Sequence, residues 1–208
     1  MPARSIIYID GFILYYGAVR GGAHKWLNLQ QYFQLLRQDD DIQAIYYFNA
    51  LVDGPARGNQ ETYFRALSTL PLVTVVLGKF KLRSVECTLV HCNYPGPRHF
   101  KVPEEKRTDV NIAIQLLDDA YNKRAERFVI VSGDSDLVPA IQLVKSRFPQ
   151  SQVVVYVPAR HPVRAAAVEM RAAGDKDRTL PLALLKYSQF PATLADGHGD
   201  ILVRPADW

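Results

Sequence analysis

An α/β fold with a central, mostly parallel sheet and helices on both faces is predicted by three features of the sequence. Short apolar runs of strand length alternate with segments of helical period. The runs are short and largely apolar, as strands covered on both faces are. The segments between them are long enough for crossover helices, which makes the sheet parallel and its units right-handed. The chain has 208 residues, 48% hydrophobic and 22% charged, a balance that excludes a mostly disordered protein and suits a single core.

Each element has its own reason. Ser5 to Ile9 reads as a buried strand stopping at Asp10-Gly11. A helix built on Leu29, Phe33 and Leu36, with Asn28 as its N-cap, leads to a second strand over Ile42 to Phe48. The acidic run Asp39 to Asp41 marks an exposed turn between them. Tyr63, Phe64, Leu67 and Leu70 predict a helix over Gln60 to Leu70, and Pro71 separates it from a strand over Val73 to Leu77. Pro95, Gly96, Pro97 and Pro103 break the rhythm, so residues 81–103 read as an excursion of hairpin character. Thr108 caps a helix carrying Val110, Ala113, Ile114, Leu117 and Tyr121, and the compact strand Phe128 to Val131 follows. Leu137, Ile141, Leu143 and Val144 supply another helix before the strand Val153 to Val157. Beyond Pro158, Arg164 to Ala173 and Leu182 to Tyr187 predict short terminal helices. The expected organisation is one domain over 1–160 with the excursion inserted, and a helical extension over 161–208 packed on it.

No run approaches the about 18 apolar residues that span a bilayer, and Met1-Pro2-Ala3-Arg4 has no signal-peptide architecture. A cytoplasmic protein with no membrane association is expected; a homo-oligomer is left open. Cys87 and Cys92 are too few for a disulfide framework, and with His91 and His99 they lack the paired spacing of a structural zinc site, so they read as ordinary thiols. The formal charge is +4. From Lys79 to Arg107 seven basic residues (Lys79, Lys81, Arg83, Arg98, Lys101, Lys106 and Arg107) face three acidic ones (Glu86, Glu104 and Glu105), a surplus as large as the whole chain's. With Phe80, Tyr94 and Phe100 interleaved, this stretch suits a polyanion that offers stacking surfaces, and equally a solvated hairpin.

In an open parallel sheet, ligands collect beyond the carboxyl ends of the strands. Asp10 ends the first strand, Asp134 and Asp136 follow the strand ending at Val131, and Asp109 opens a helix whose N-terminus lies at that same edge. Singly, Asp134 and Asp136 are good turn chemistry and Asp109 is favoured by the helix dipole. Together, carboxylates held close need a cation or shifted pKa values. An oxygen-only set favours Mg²⁺ or Mn²⁺ over zinc.

The segments Tyr8-Ile9-Asp10-Gly11-Phe12, Glu104-Glu105-Lys106-Arg107-Thr108-Asp109-Val110-Asn111 and Val131-Ser132-Gly133-Asp134-Ser135-Asp136-Leu137 closely resemble the NYN domains, a branch of the PIN-like nucleases. The resemblance covers about residues 5–158, and the Pro-x-x-Trp tail is similar to members of the group. It implies a PIN-like three-layer sandwich and metal-dependent hydrolysis of RNA phosphodiesters. It also implies Asp10, Asp109, Asp134 and Asp136 as the acidic, metal-binding site with Glu105 beside them. One departure is Ile13, where relatives carry asparagine after Asp-Gly-x; a hydrocarbon side chain there cannot orient a carboxylate, and Ser132, Ser135 or Asn111 are the candidates to compensate.

Two functions from different classes follow. The first is a ribonuclease in which carboxylates hold one or two Mg²⁺ or Mn²⁺ ions that activate water, with Lys106 and Arg107 steadying the backbone of single-stranded RNA. The second, motivated by Ile13, is an RNA-binding or regulatory module that keeps the acidic rim without turnover. A phosphatase fits less well, because Asp10-Gly11-Phe12 lacks a second acid two residues on.

Overall fold

The computed structural model describes residues 1–89, 91–160, 167–206 and 208. The chain runs through β1 (Ala3–Asp10), α1 (Gly11–Leu14), a π-helical turn (Tyr15–Val19), α2 (Leu29–Leu36), β2 (Asp40–Asn49), α3 (Arg57–Leu67) and β3 (Val73–Leu77). A hairpin of β4 (Lys79–Glu86) and β5 (His99–Lys106) follows, then α4 (Thr108–Tyr121), β6 (Arg127–Val131), a 3-10 turn (Ser135–Leu137), α5 (Val138–Arg147) and β7 (Gln152–Val157). The last elements are α6 (Val168–Ala173), β8 (Lys176–Thr179), a 3-10 helix (Leu182–Tyr187), β9 (Thr193–Ala195) and β10 (Ile201–Val203).

Six strands form one sheet in the order β3-β2-β1-β6-β7-β8, and every pairing in it is parallel. The strand side chains alternate between two cores. Ile7, Ile9, Val129, Val131, Val154 and Tyr156 join Phe33, Tyr63 and Phe64 from α2 and α3 on one face. Ile6, Tyr8, Phe128, Ile130, Val153 and Val155 join Ile112, Ile141 and Met170 from α4, α5 and α6 on the other. The period of two along each strand therefore builds the three-layer sandwich directly. The chain leaves β1 toward β2 and β3 on one side and returns to β6 on the other, which makes the gap between the carboxyl ends of β1 and β6 the switch point of the sheet.

Several local expectations are corrected. Asp40 is not in an exposed turn: it opens β2 with its side chain fully buried, accepting from Arg37 Nε at 2.8 Å and pairing with Arg127. Polarity along a sequence does not separate a solvated acid from one buried by two guanidinium groups. Thr108 is the first residue of α4 and not its cap. The cap position belongs to Arg107, whose backbone takes the left-handed conformation at φ 81°, while the Thr108 hydroxyl bonds to Glu105. The helix expected over Gln60 to Leu70 begins and ends three residues earlier, at Arg57–Leu67. The helix expected from Arg164 starts at Val168, and residues 164–166 lie outside the described residues. Leu182–Tyr187 is a 3-10 helix. β8 carries no sequence signal: it reads Lys-Asp-Arg-Thr and is mostly exposed at the sheet edge, where no apolar alternation is required. Cys87 and Cys92 are free thiols.

Candidate functional site

Asp10 is the last residue of β1 and is only 4% exposed. Asp10 Oδ1 accepts from the Ile13 backbone N–H at 3.0 Å, capping α1, and Oδ2 accepts from the Ser132 hydroxyl at 3.1 Å. The β1–β6 register sets Ile9 beside Val131, so Ser132, one residue past β6 and fully buried, arrives level with Asp10. The Ile13 side chain gives the carboxylate no hydrogen bond, but the main-chain N–H at that position orients it, a role that residue identity cannot reveal.

The other acids are positioned by the next elements. Ser132 Oγ accepts from the Asp134 N–H at 3.1 Å, and Asp134 Oδ1 accepts from the Asp136 N–H at 3.0 Å, which opens the 3-10 turn. Asp109 lies in the first turn of α4, half-buried. Glu105, half-buried near the end of β5, is tied to Thr108. Burial chiefly, and then the charges of Asp109 and Glu105, push Asp10 up to about 7 against the opposing hydrogen bonds from Ile13 and Ser132. Burial and then the charges of Asp134 and Asp136 raise Asp109; burial and Asp109 raise Glu105 against the bond from Thr108. Asp10 thus feels Glu105 and Asp109, and Asp109 in turn feels Asp134 and Asp136, near the switch point.

The remaining predicted residues are placed differently. Lys106 pairs with Glu104 at 2.8 Å, and alternation along β5 puts both on the hairpin face opposite Glu105. Arg107 and Ser135 are exposed, and Asn111 is half-buried one turn into α4. Phe80, opposite Glu105 in the hairpin ladder, packs edge-on against Phe12 at 5.3 Å between ring centres.

Among the described residues no three His, Cys, Asp or Glu side chains stand close enough to hold a metal ion by themselves. The donors still fit a hard cation: they are all carboxylates, and Asp10 and Asp109, raised by burial and then by neighbouring charge, would be favoured as anions by one. Mg²⁺ commonly takes one or two carboxylates and fills its remaining positions with water and substrate phosphate, which this arrangement permits.

Beside Asp10, on the α3 face of the sheet, is a cavity of about 420 Å³. Tyr15, Tyr47, Tyr63 and Trp208 form aromatic walls, and Asn49 and Gln60 the polar part. No motif announces it, since its residues are scattered and each aromatic alone reads as core. Trp26 does belong to the core, fully buried with its indole N–H on Pro191 O at 2.8 Å.

A family model described as the NYN domain matches residues 4–177. The 6-hydroxy-3-succinoylpyridine 3-monooxygenase HspA of Pseudomonas putida is 30% identical over 201 residues, with 81% of this chain and 64% of that protein covered. The chain thus spans under two thirds of the length of this relative. Among solved structures, a protein of unknown function from Vibrio parahaemolyticus aligns with a TM-score of 0.52 at 14% identity, covering 86% of this chain and 93% of that one. That likeness concerns the fold alone. No helix among the described residues is long and apolar enough to cross a membrane.

Proposed function

Because the chain belongs to the NYN domain family, we propose that it is a ribonuclease hydrolysing phosphodiesters of single-stranded RNA with Mg²⁺ or Mn²⁺, acting in the cytoplasm. What supports this reading is the electrostatic coupling of Asp10 to Asp109 and Glu105, and of Asp109 to Asp134 and Asp136, beside the switch point, with Asp10 raised to about 7 chiefly by burial. Asp10 and Asp109 would hold the ion, with Asp134, Asp136 and Glu105 around it. A divalent ion there supplies neutralisation of phosphate charge and a lowered pKa for the attacking water. The protein's own part is orientation. Ser132 and the Ile13 N–H hold the Asp10 carboxylate in one rotamer, and the Ser132–Asp134 bond sets the turn that carries Asp134 and Asp136. Lys81, Arg83 and Lys101 on the exposed hairpin, with Arg107 at its foot, offer phosphate contacts along an approaching strand. Asn111, half-buried two residues after Asp109, and Ser135, exposed beside Asp134, would add polar contacts to the strand.

The test is cleavage of a single-stranded RNA oligonucleotide with Mn²⁺, before and after chelation. Cleavage that stops on chelation and in Asp10→Asn and Asp134→Asn is expected; either variant cutting at the wild-type rate overturns the assignment. If the wild type binds RNA without cutting and Ile13→Asn cuts, the chain is a binding module that has lost turnover.

A second reading is hydroxylation of a heteroaromatic ring, the reaction class in the name of the Pseudomonas putida relative. The aromatic-walled cavity favours it. Oxygen consumption driven by a hydroxypyridine and a reductant, with no cleavage of RNA under any metal, would replace the first reading with this one.

A further inference from the structure

We propose that the cavity beside Asp10 receives a base of the RNA strand, so that the enzyme grips a nucleotide flanking the phosphodiester it cuts. This rests on the ribonuclease reading above.

The location comes first. Gly11 lines the cavity and directly follows Asp10. A Cβ at Gly11 would lie 2.5 Å from Asn49 Nδ2, 2.7 Å from Phe48 O and 2.8 Å from Tyr47 Cζ, so the residue after the acid packs directly against the Tyr47 and Asn49 wall. Tyr47, which lines the cavity, lies in the field of the Asp10 and Glu105 carboxylates.

The chemistry of the walls comes next. A volume of about 420 Å³ falls in the range that encloses one small planar molecule. The aromatic walls are held rather than loose: Tyr63 donates its hydroxyl to Leu27 O at 2.8 Å, and its ring meets Trp208 at 5.4 Å between centres. The polar part is equally fixed. Gln60 donates to Ala50 O at 2.9 Å and accepts from Val52 N–H at 2.8 Å, and Asn49 Nδ2 donates to the Tyr47 hydroxyl at 2.9 Å. With that bond accepted, Tyr47 has its own O–H to give. A ligand matching these walls has a flat π face and an edge that accepts a hydrogen bond. A nucleobase has both properties, and stacking without strict base identity suits walls that carry few donors. An aliphatic or purely ionic ligand would leave the aromatic walls unused.

The experiment titrates adenosine and uridine 5′-monophosphates, with ribose 5-phosphate as the control, into the wild-type protein and follows tryptophan emission, because Trp208 lines the cavity. It is repeated with Ala56→Phe, which crowds the cavity from an exposed position before α3. In parallel, an abasic site is moved one position at a time along a cleavable RNA. Saturable quenching by the nucleotides but not by ribose 5-phosphate is expected, weakened about tenfold or more in Ala56→Phe. One abasic position should raise KM by a similar factor while unfolding of the variant is unchanged. Cleavage with no nucleotide quenching and no abasic effect overturns the pocket and leaves the ribonuclease standing. Nucleotide binding without cleavage under any metal overturns the ribonuclease and leaves a nucleotide site. Quenching by a free pyridine carboxylate but by no nucleotide overturns the inference in favour of a small-molecule cavity.

Discussion

The ring of Phe80 meets that of Phe12 edge-on at 5.3 Å, and this contact fastens the foot of the β4–β5 hairpin to the turn that follows Asp10. Both strands of the hairpin otherwise run largely in solvent, with Leu82, Phe100 and Val102 exposed. Replacing Phe80 by Ala removes an aromatic pair worth about 0.5–1.5 kcal/mol. The expected outcome is faster amide exchange across residues 79–106 and an RNA KM raised about two- to tenfold, with the thermal midpoint of the main sheet little moved. Unchanged exchange in the hairpin would show that the contact does not hold it.

Ser132→Ala leaves Asp10 Oδ2 without its donor and the Asp134 N–H without its side-chain acceptor. Loss of such an orienting partner costs about 10- to 100-fold in activity at comparable sites. The loss is expected in kcat, with KM and the circular dichroism spectrum unchanged. A fall confined to KM would place Ser132 in substrate binding instead.

Asp40 is buried between Arg37 and Arg127 at the end of the sheet remote from the acids. Asp40→Ala leaves two guanidinium groups without their shared carboxylate, a change of the kind that costs about 3–5 kcal/mol. Urea unfolding should show a lowered midpoint with an unchanged slope, and RNA binding by the folded fraction should be unaltered.

Asp175 lies between α6 and β8. Partial burial pushes its carboxyl up, but the Lys145 ammonium at 2.8 Å and the Val153 N–H at 2.8 Å outweigh this and hold it below its ordinary value. A lowered folded-state pKa stabilises the protein above the unfolded carboxylate's value of about 3.9. That stabilisation disappears as pH falls through the folded value. Asp175→Asn is therefore expected to lower the melting temperature at pH 7 and to lower it progressively less as the pH falls below the ordinary carboxylate value; an effect that does not change with pH would mean that the loss is one of packing.

Much of this architecture is legible in the residues. β1, β6 and β7 each carry an apolar run buried on both faces, and Asn28 caps α2 through Gln31 N–H at 2.9 Å as its residue type predicts. The acids at the carboxyl edge could be assembled from topology, because a strand end, a post-strand turn and a helix start are each visible. What stays hidden has physical causes. β8 is stabilised by backbone pairing to β7 with polar side chains outward, so no pattern marks it. The contribution of Ile13 is made by an N–H common to all residues but proline. The cavity draws on Tyr15, Tyr47, Gln60 and Trp208, whose proximity exists only after the sheet and α3 have packed. Lys106 reads as adjacent to the acids, yet the two-residue period of β5 turns it to the other face.

The pairing of β8 with β7 also bears on where the polypeptide can be shortened. Val153 to Val157 are almost wholly buried, and Lys176–Thr179 is the cover along their outer hydrogen-bonding side. A fragment ending before Lys176 would present that apolar strand as an open template for a second molecule, and its fate would be self-association through intermolecular β-pairing.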